Sequence, residues 1–333
     1  MSTLKTFSGS QARKRGAMKA QAKIALMSYS RSRLHRLFAL WYFSVMLVLW
    51  TVLGHTVLGF KQSWAASVVG LTTAILMQIL VEWLNAKSRE REPGFIGKPG
   101  AMANVLQASI VPGLACTMLI YPNEHLWPVI FAVAVAIGSK FLLRAPADNG
   151  RTQRIFNPSS LGIAITVLLF PWVGFVPPDH FNDPTDLWHW VFPAIVLLSG
   201  FVVHLLSTGR LLLCLAWVGG FVLQAVLRHW LLGSSFIGAI VPMTSAAFII
   251  FTLCMIPDPA TTPVRLLRQM VFGFSIAMVY GVLQVMHIGF GFFFALTIVS
   301  AARGIALYVL AGRKLMTSSV AVPLGSQTAL TGD

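Results

Sequence analysis

Apolar residues run in long blocks along this chain, and the polar residues between them come in short clusters marked by proline, glycine or a basic side chain. From Leu37 to Leu310 the blocks recur at about the length a bilayer asks of a helix, roughly 20 residues. They predict spans over 37–59, 65–84, 103–121, 126–143, 158–176, 189–207, 211–230, 236–256, 270–287 and 290–311. The expected fold is all-α, a polytopic membrane bundle of about ten transmembrane helices occupying 37–312. A basic tail, 1–36, precedes it, and a polar tail, 313–333, rich in Ser, Thr and Gly, follows.

Composition sharpens this picture. The chain is 56% hydrophobic and only 11% charged, where globular domains carry about 25% charged residues, so a soluble fold is excluded. The net charge of +15 would suggest nucleic acid in a soluble protein, but a phosphate-tracking surface needs aromatic or groove-shaped partners that the tail lacks. No nucleic-acid partner is expected; the lipid bilayer is. If the basic tail lies inside, the inner connections hold Lys87, Arg89, Arg91 and Lys98, then Arg144, Arg151 and Arg154, then Arg210, Arg265 and Arg268, and lastly Arg313 and Lys314. The outer ones hold Lys61 and Arg228 with Glu124, Asp179, Asp183 and Asp186. This asymmetry follows the positive-inside rule and predicts both termini on the cytoplasmic side. Trp64, Trp127, Trp172, Trp188, Trp190 and Trp230 fall near the outer interface, where amphipathic rings anchor span ends. The tail lacks an apolar core with a small-residue cleavage site, so it is not read as a secretory signal.

The candidate chemistry lies at span ends. Pro242 to Pro263 is apolar without a charge until Asp258, framed by Pro257 and Pro259, where a helical ladder cannot continue undisturbed. Thr261, Thr262, Arg265 and Arg268 follow, a polar cluster suited to an anionic group. A second such tip is Asn157-Pro158, read either as a plain N-cap or as a helix N-terminus facing an anion, with Arg151 and Arg154 one turn away. The predicted topology puts both tips on one side. Ser159, Ser160 and Gly162 read as a packing face. Arg303 interrupts the last span and is a candidate intramembrane charge, whereas Glu82 and Lys140 sit near inner ends and are expected to snorkel. His204 lies well inside a span, where a hydrogen bond to a neighbouring helix is its expected job. Cys116, Cys214 and Cys254 read as small apolar side chains, since no CxxC or His-rich spacing accompanies them. No metal site and no catalytic nucleophile-base pair is predicted.

Phe156-Asn157-Pro158 opening a span, and Asp258-Pro259-Ala260-Thr261-Thr262-Pro263 followed by Arg265, Arg268 and Gly273, resemble the membrane flavoprotein subunit shared by sodium-pumping NADH:quinone oxidoreductases and Rnf electron-transport complexes, the NqrB/RnfD family. The likeness covers most of the chain after Ala103 and is nearest the RnfD-like branch found beside enediyne biosynthesis genes. It implies two inverted five-helix halves, a bacterial inner-membrane location and other membrane or peripheral subunits as partners. Members typically carry FMN on the threonine of a Ser-Gly-Ala-Thr motif, and no such tetrapeptide occurs between Asn157 and Asp258. The resemblance therefore implies a non-covalent FMN or riboflavin, or a quinone. It assigns Asn157, Ser245 and Asp258 as hydrogen-bond partners of the ring or ribityl chain, with Arg265 and Arg268 near a phosphate. Three functional classes remain open: a redox subunit, a cofactor-free structural subunit of a larger membrane assembly, and a small-solute channel or transporter with Arg303 on its path.

Overall fold

The computed structural model describes residues 37–56, 62–97, 100–147, 152–175 and 188–320. The basic tail, most of the acidic connection after Phe175, Arg151 and the residues beyond Val320 lie outside the described residues. Helices α1 (Leu37–Thr56), α2 (Trp64–Ser88), α3 (Ala101–Leu119), α7 (Leu211–Leu232), α10 (Leu266–Val285) and the first part of α11 (Gly291–Val320) are long and apolar enough to cross a membrane. Four shorter apolar helical stretches fill the remaining predicted positions. These are α4 (Trp127–Leu142), α5 (Pro158–Leu169), the run Ile195–Thr208 that ends α6 (Trp188–Val203), and Ala246–Met255, which contains α9 (Ala246–Ile250). A helical membrane bundle is thus the architecture.

Its packing inverts that of a water-soluble protein. On α2 the buried face is Ala66, Gly70, Ala74 and Gln78, spaced by four, while Leu76, Leu80 and Leu84 point outward. Lipid tails are as apolar as leucine, so helices gain by close van der Waals approach, and small residues go inside. Gly162 and Gly273 show how close. A Cβ on Gly162 would stand 2.3 Å from the Ala132 carbonyl oxygen of α4, and one on Gly273 would stand 2.5 Å from the Leu213 carbonyl oxygen of α7. The expected packing face at Ser159, Ser160 and Gly162 is realised there, with Ser160 Oγ donating to the Phe293 carbonyl of α11 at 3.2 Å.

The helices shorter than predicted have local causes. The fifth span, expected to run to 176, stops at Leu169 because Pro171 disfavours helical backbone at Phe170. The eighth, expected over 236–256, is broken into α8 (Phe236–Ile240), a 3₁₀ turn Val241–Thr244 around Pro242, α9, and a π turn Phe251–Met255. A second π turn, His204–Thr208, ends the sixth. Helix α11 runs past its expected end at 311 to Val320, since no proline occurs before Pro323.

Alternate connections meet at opposite ends. At one end β1 (Ile120–Tyr121) pairs antiparallel with β4 (Gly174–Phe175), and Gln62 Nε2 donates to the Ile120 carbonyl at 3.1 Å. Trp127, Phe170 and Trp172 cluster there, and Trp64 packs on His55 with centroids 4.5 Å apart. The other end is basic. There β2 (Arg144–Pro146) pairs with β3 (Thr152–Arg154), and Tyr308 Oη of α11 donates to the Arg144 carbonyl. Burial, and then the like charges of Arg154 and Arg89, hold Arg144 below the ordinary arginine value, a mark of cationic crowding.

Candidate functional site

Three prolines organise the basic end. A proline has no N–H, so the carbonyl four residues before it loses its helical donor. Pro112 lies inside α3 and frees the carbonyl of Ala108; Lys140 Nζ of α4 donates to that oxygen at 2.7 Å and to Gln78 Oε1 of α2 at 3.2 Å. Pro257 frees Leu253, whose carbonyl meets His204 Nε2 at 2.9 Å. Pro259 follows the end of that helix, where the Met255 carbonyl has no helical donor and accepts from Asn157 Nδ2 at 3.0 Å. Three side chains from three other helices thus satisfy three orphaned carbonyls, as buried backbone oxygens require.

The same three side chains line one cavity of about 350 Å³. Ala39, Leu40 and Phe43 of α1 with Val111 and Pro112 of α3 give it apolar surface, and Lys140, Arg154, Asn157, His204, Thr208 and Asp258 give it polar groups. Phe43 stacks on the His204 ring with centroids 4.9 Å apart. Helix α1 is pinned on either side of Phe43, by Tyr42 Oη donating to Ser199 Oγ at 2.6 Å and by Gln107 Nε2 donating to Ser44 Oγ at 3.1 Å. Both π turns border the cavity, and such turns gather at functional sites.

Asn157 and Asp258, predicted on two separate tips, therefore share one site. Asn157 is 5% exposed and caps α5, its Oδ1 accepting from Ser160 N at 3.1 Å, while its Nδ2 ties that cap to the broken eighth helix. Asp258 closes the Pro257–Pro263 turn. Its Oδ1 accepts from Ala260 N at 3.0 Å, and its carbonyl accepts from the hydroxyl of Thr262 at 2.8 Å. Two arginines clamp this turn from outside. Arg303 donates to the Thr261 carbonyl at 2.7 Å and to Gln153 Oε1 at 3.2 Å, and Arg210 donates to the Pro263 carbonyl.

Other predicted residues are not brought here. Ser245 caps α9, accepting from Phe248 N at 3.1 Å and donating to the Pro242 carbonyl at 2.7 Å, and it does not border the cavity. Arg265 and Arg268 are exposed and outside the cavity lining, because the buried residue in the first turn of α10 is Gln269. Arg303 spends its guanidinium on the turn and on Gln153. Lys140 does not snorkel; it is 3% exposed and anchored among α2, α3 and α4. Its signal in the sequence was indirect, a proline four residues beyond the carbonyl it serves. Arg210, 5% exposed, was legible only as a loop charge.

Cys116 and Cys214 are buried, and Cys254 is half-buried at the cavity edge. Among the described residues no group of three or more His, Cys, Asp or Glu gathers as a metal site. No protein-family model and no curated protein sequence matches this chain.

Proposed function

We propose that this chain is a subunit of a bacterial inner-membrane electron-transport assembly, holding a flavin or quinone non-covalently in the cavity at its basic end. The observation that carries the proposal is the convergence of Asn157 and Asp258 on one cavity bounded by two π turns. In this reading the six long and four shorter helices all cross the bilayer, in two five-helix halves, with the basic end and both termini facing the cytoplasm. The links from Arg303 to both Gln153 and Thr261 support a common side for the two proline-marked tips.

The lining suits a flat ring with carbonyl edges. The apolar side chains of Leu40, Val111 and Pro112 offer a face for the ring. Asn157 positions the pocket by joining α5 to the eighth helix, and retains one amide N–H for a ligand. A bound flavin or quinone supplies the electron chemistry, and the protein supplies orientation and charge. Ser245, Arg265 and Arg268 have no part in this version of the site.

Visible spectroscopy and solvent extraction of the protein purified in mild detergent test the proposal. A flavin band or an extractable quinone is expected, and Asn157→Ala should release it. A colourless preparation yielding neither removes the redox reading.

A further inference from the structure

The cations on the cavity outnumber what the protein supplies to balance them. Lys140 has three N–H donors and gives two, to Gln78 Oε1 and to the Ala108 carbonyl. Arg154 has five, and none meets an acceptor among the described residues, although the side chain is only partly exposed and lines the cavity. Among the described residues the one ion pair within 4.0 Å is Arg91–Glu82, far along the sequence from this site, so neither Lys140 nor Arg154 has a carboxylate against it. Asp258, the one carboxylate on the cavity, is engaged at Oδ1 by Ala260 N. The N-terminus of α5, positive by its aligned peptide dipoles, opens on the same space through Pro158 and Ser159. A buried lysine amine, a guanidinium with all of its donors spare and a helix N-terminus converge on a space lined otherwise largely by apolar side chains.

We infer that the ligand of this cavity is an amphipathic anion whose acidic group, a phosphate or carboxylate, seats between Lys140 and Arg154. The inference rests on the redox reading only for the identity of the ring: among flavins the site selects the phosphorylated one over riboflavin. It moves the phosphate from Arg265 and Arg268, where the sequence placed it, to two residues on the cavity itself. The same acidic chemistry has a second source, the headgroup of an anionic lipid entering past Leu40, which is exposed on the outer side of α1.

The test titrates FMN and riboflavin against full-length protein in nanodiscs of phosphatidylcholine, and separately recovers lipid from protein purified out of membranes containing phosphatidylglycerol. FMN should bind at least about tenfold more tightly than riboflavin, the scale of one lost charge-assisted hydrogen bond. Arg154→Gln should erase that difference while leaving riboflavin affinity within about twofold, Arg154→Lys should keep most of it, and Lys140→Gln should reduce it; unchanged riboflavin affinity reports an intact fold. Equal affinity of the wild type for the two flavins, or an FMN preference that survives both Gln substitutions, overturns the inference and leaves the redox reading standing. If neither flavin binds, the flavin reading falls and the lipid arm decides. Phosphatidylglycerol retained by the wild type and lost in Arg154→Gln upholds the acidic seat with lipid as its source. Absence of retained phosphatidylglycerol then overturns it.

Discussion

Two regions of this bundle solve the same problem in opposite ways. In the block formed by α7, α9, α10 and α11, Trp217, Phe221, Phe248, Phe251, Tyr280 and Phe292 fill the interior ring against ring. Tyr280 and Phe292 stack at 4.7 Å, and Trp217 meets Phe251 edge-on at 5.2 Å. Within it Trp217 Nε1 donates to Thr252 Oγ1 at 3.0 Å. At the basic end the helices are interrupted, their freed carbonyls are met by long polar side chains, and space is left over. Aromatic packing closes a core because every face finds a partner. Proline breaks hold one open, because a carbonyl satisfied by a side chain from another helix fixes a distance without filling the volume between.

The comparison predicts that the aromatic block carries stability and the basic end carries binding. Trp217→Ala should have the largest effect, a loss of about 3–5 kcal/mol with the Thr252 hydroxyl left unmet, read as collapse of the monodisperse peak in detergent. Asn157→Ala removes a cap worth about 1 kcal/mol and strands the Met255 carbonyl at a further cost of about 1–3 kcal/mol. It should lower the unfolding midpoint and empty the cavity together. His204→Phe keeps a ring against Phe43 but gives up the Leu253 carbonyl, for about 1 kcal/mol, visible in the same melt. Lys140→Met should change stability least, by less than about 1 kcal/mol in either direction, because losing a costly buried amine offsets leaving the Ala108 carbonyl without its donor. The preference for FMN over riboflavin should nevertheless fall. A Lys140→Met protein that melts far below the wild type, or a Trp217→Ala protein that does not, breaks the contrast.

Much of this was legible in the apolar blocks. Helices α2, α3, α7 and α10 lie within a few residues of their predicted bounds, and the placement of His204 against a neighbouring helix follows from a lone histidine deep in a span. Proline was where reading stopped short. Pro171 and Pro242 mark breaks that a hydropathy block passes over, since both sit among apolar neighbours. Asn157 and Asp258 were recognisable as tips on one side, and the Asn157–Met255 bond shows how closely the helices behind them meet. Lys140 was misread because a lysine near the end of an apolar block has an obvious route to water. Only the carbonyl exposed by Pro112, on a different helix, gives it a reason to stay. Arg265 and Arg268 fall outside the cavity lining for a related reason: a basic pair near a motif does not declare which face of the next helix it occupies.

The π turn at Phe251–Met255 sets one further condition on the chain. A π turn is a helical turn with a residue to spare, so deleting any one position there would let the ladder revert to regular α form. The residues beyond it would keep their facing, because the one lost is the surplus one, whereas the same deletion in a regular turn would swing everything downstream by about 100° around the helix axis. What would go is the widened turn that carries the Leu253 carbonyl to His204. The surplus residue is therefore as much a part of the pocket as the side chains that line it.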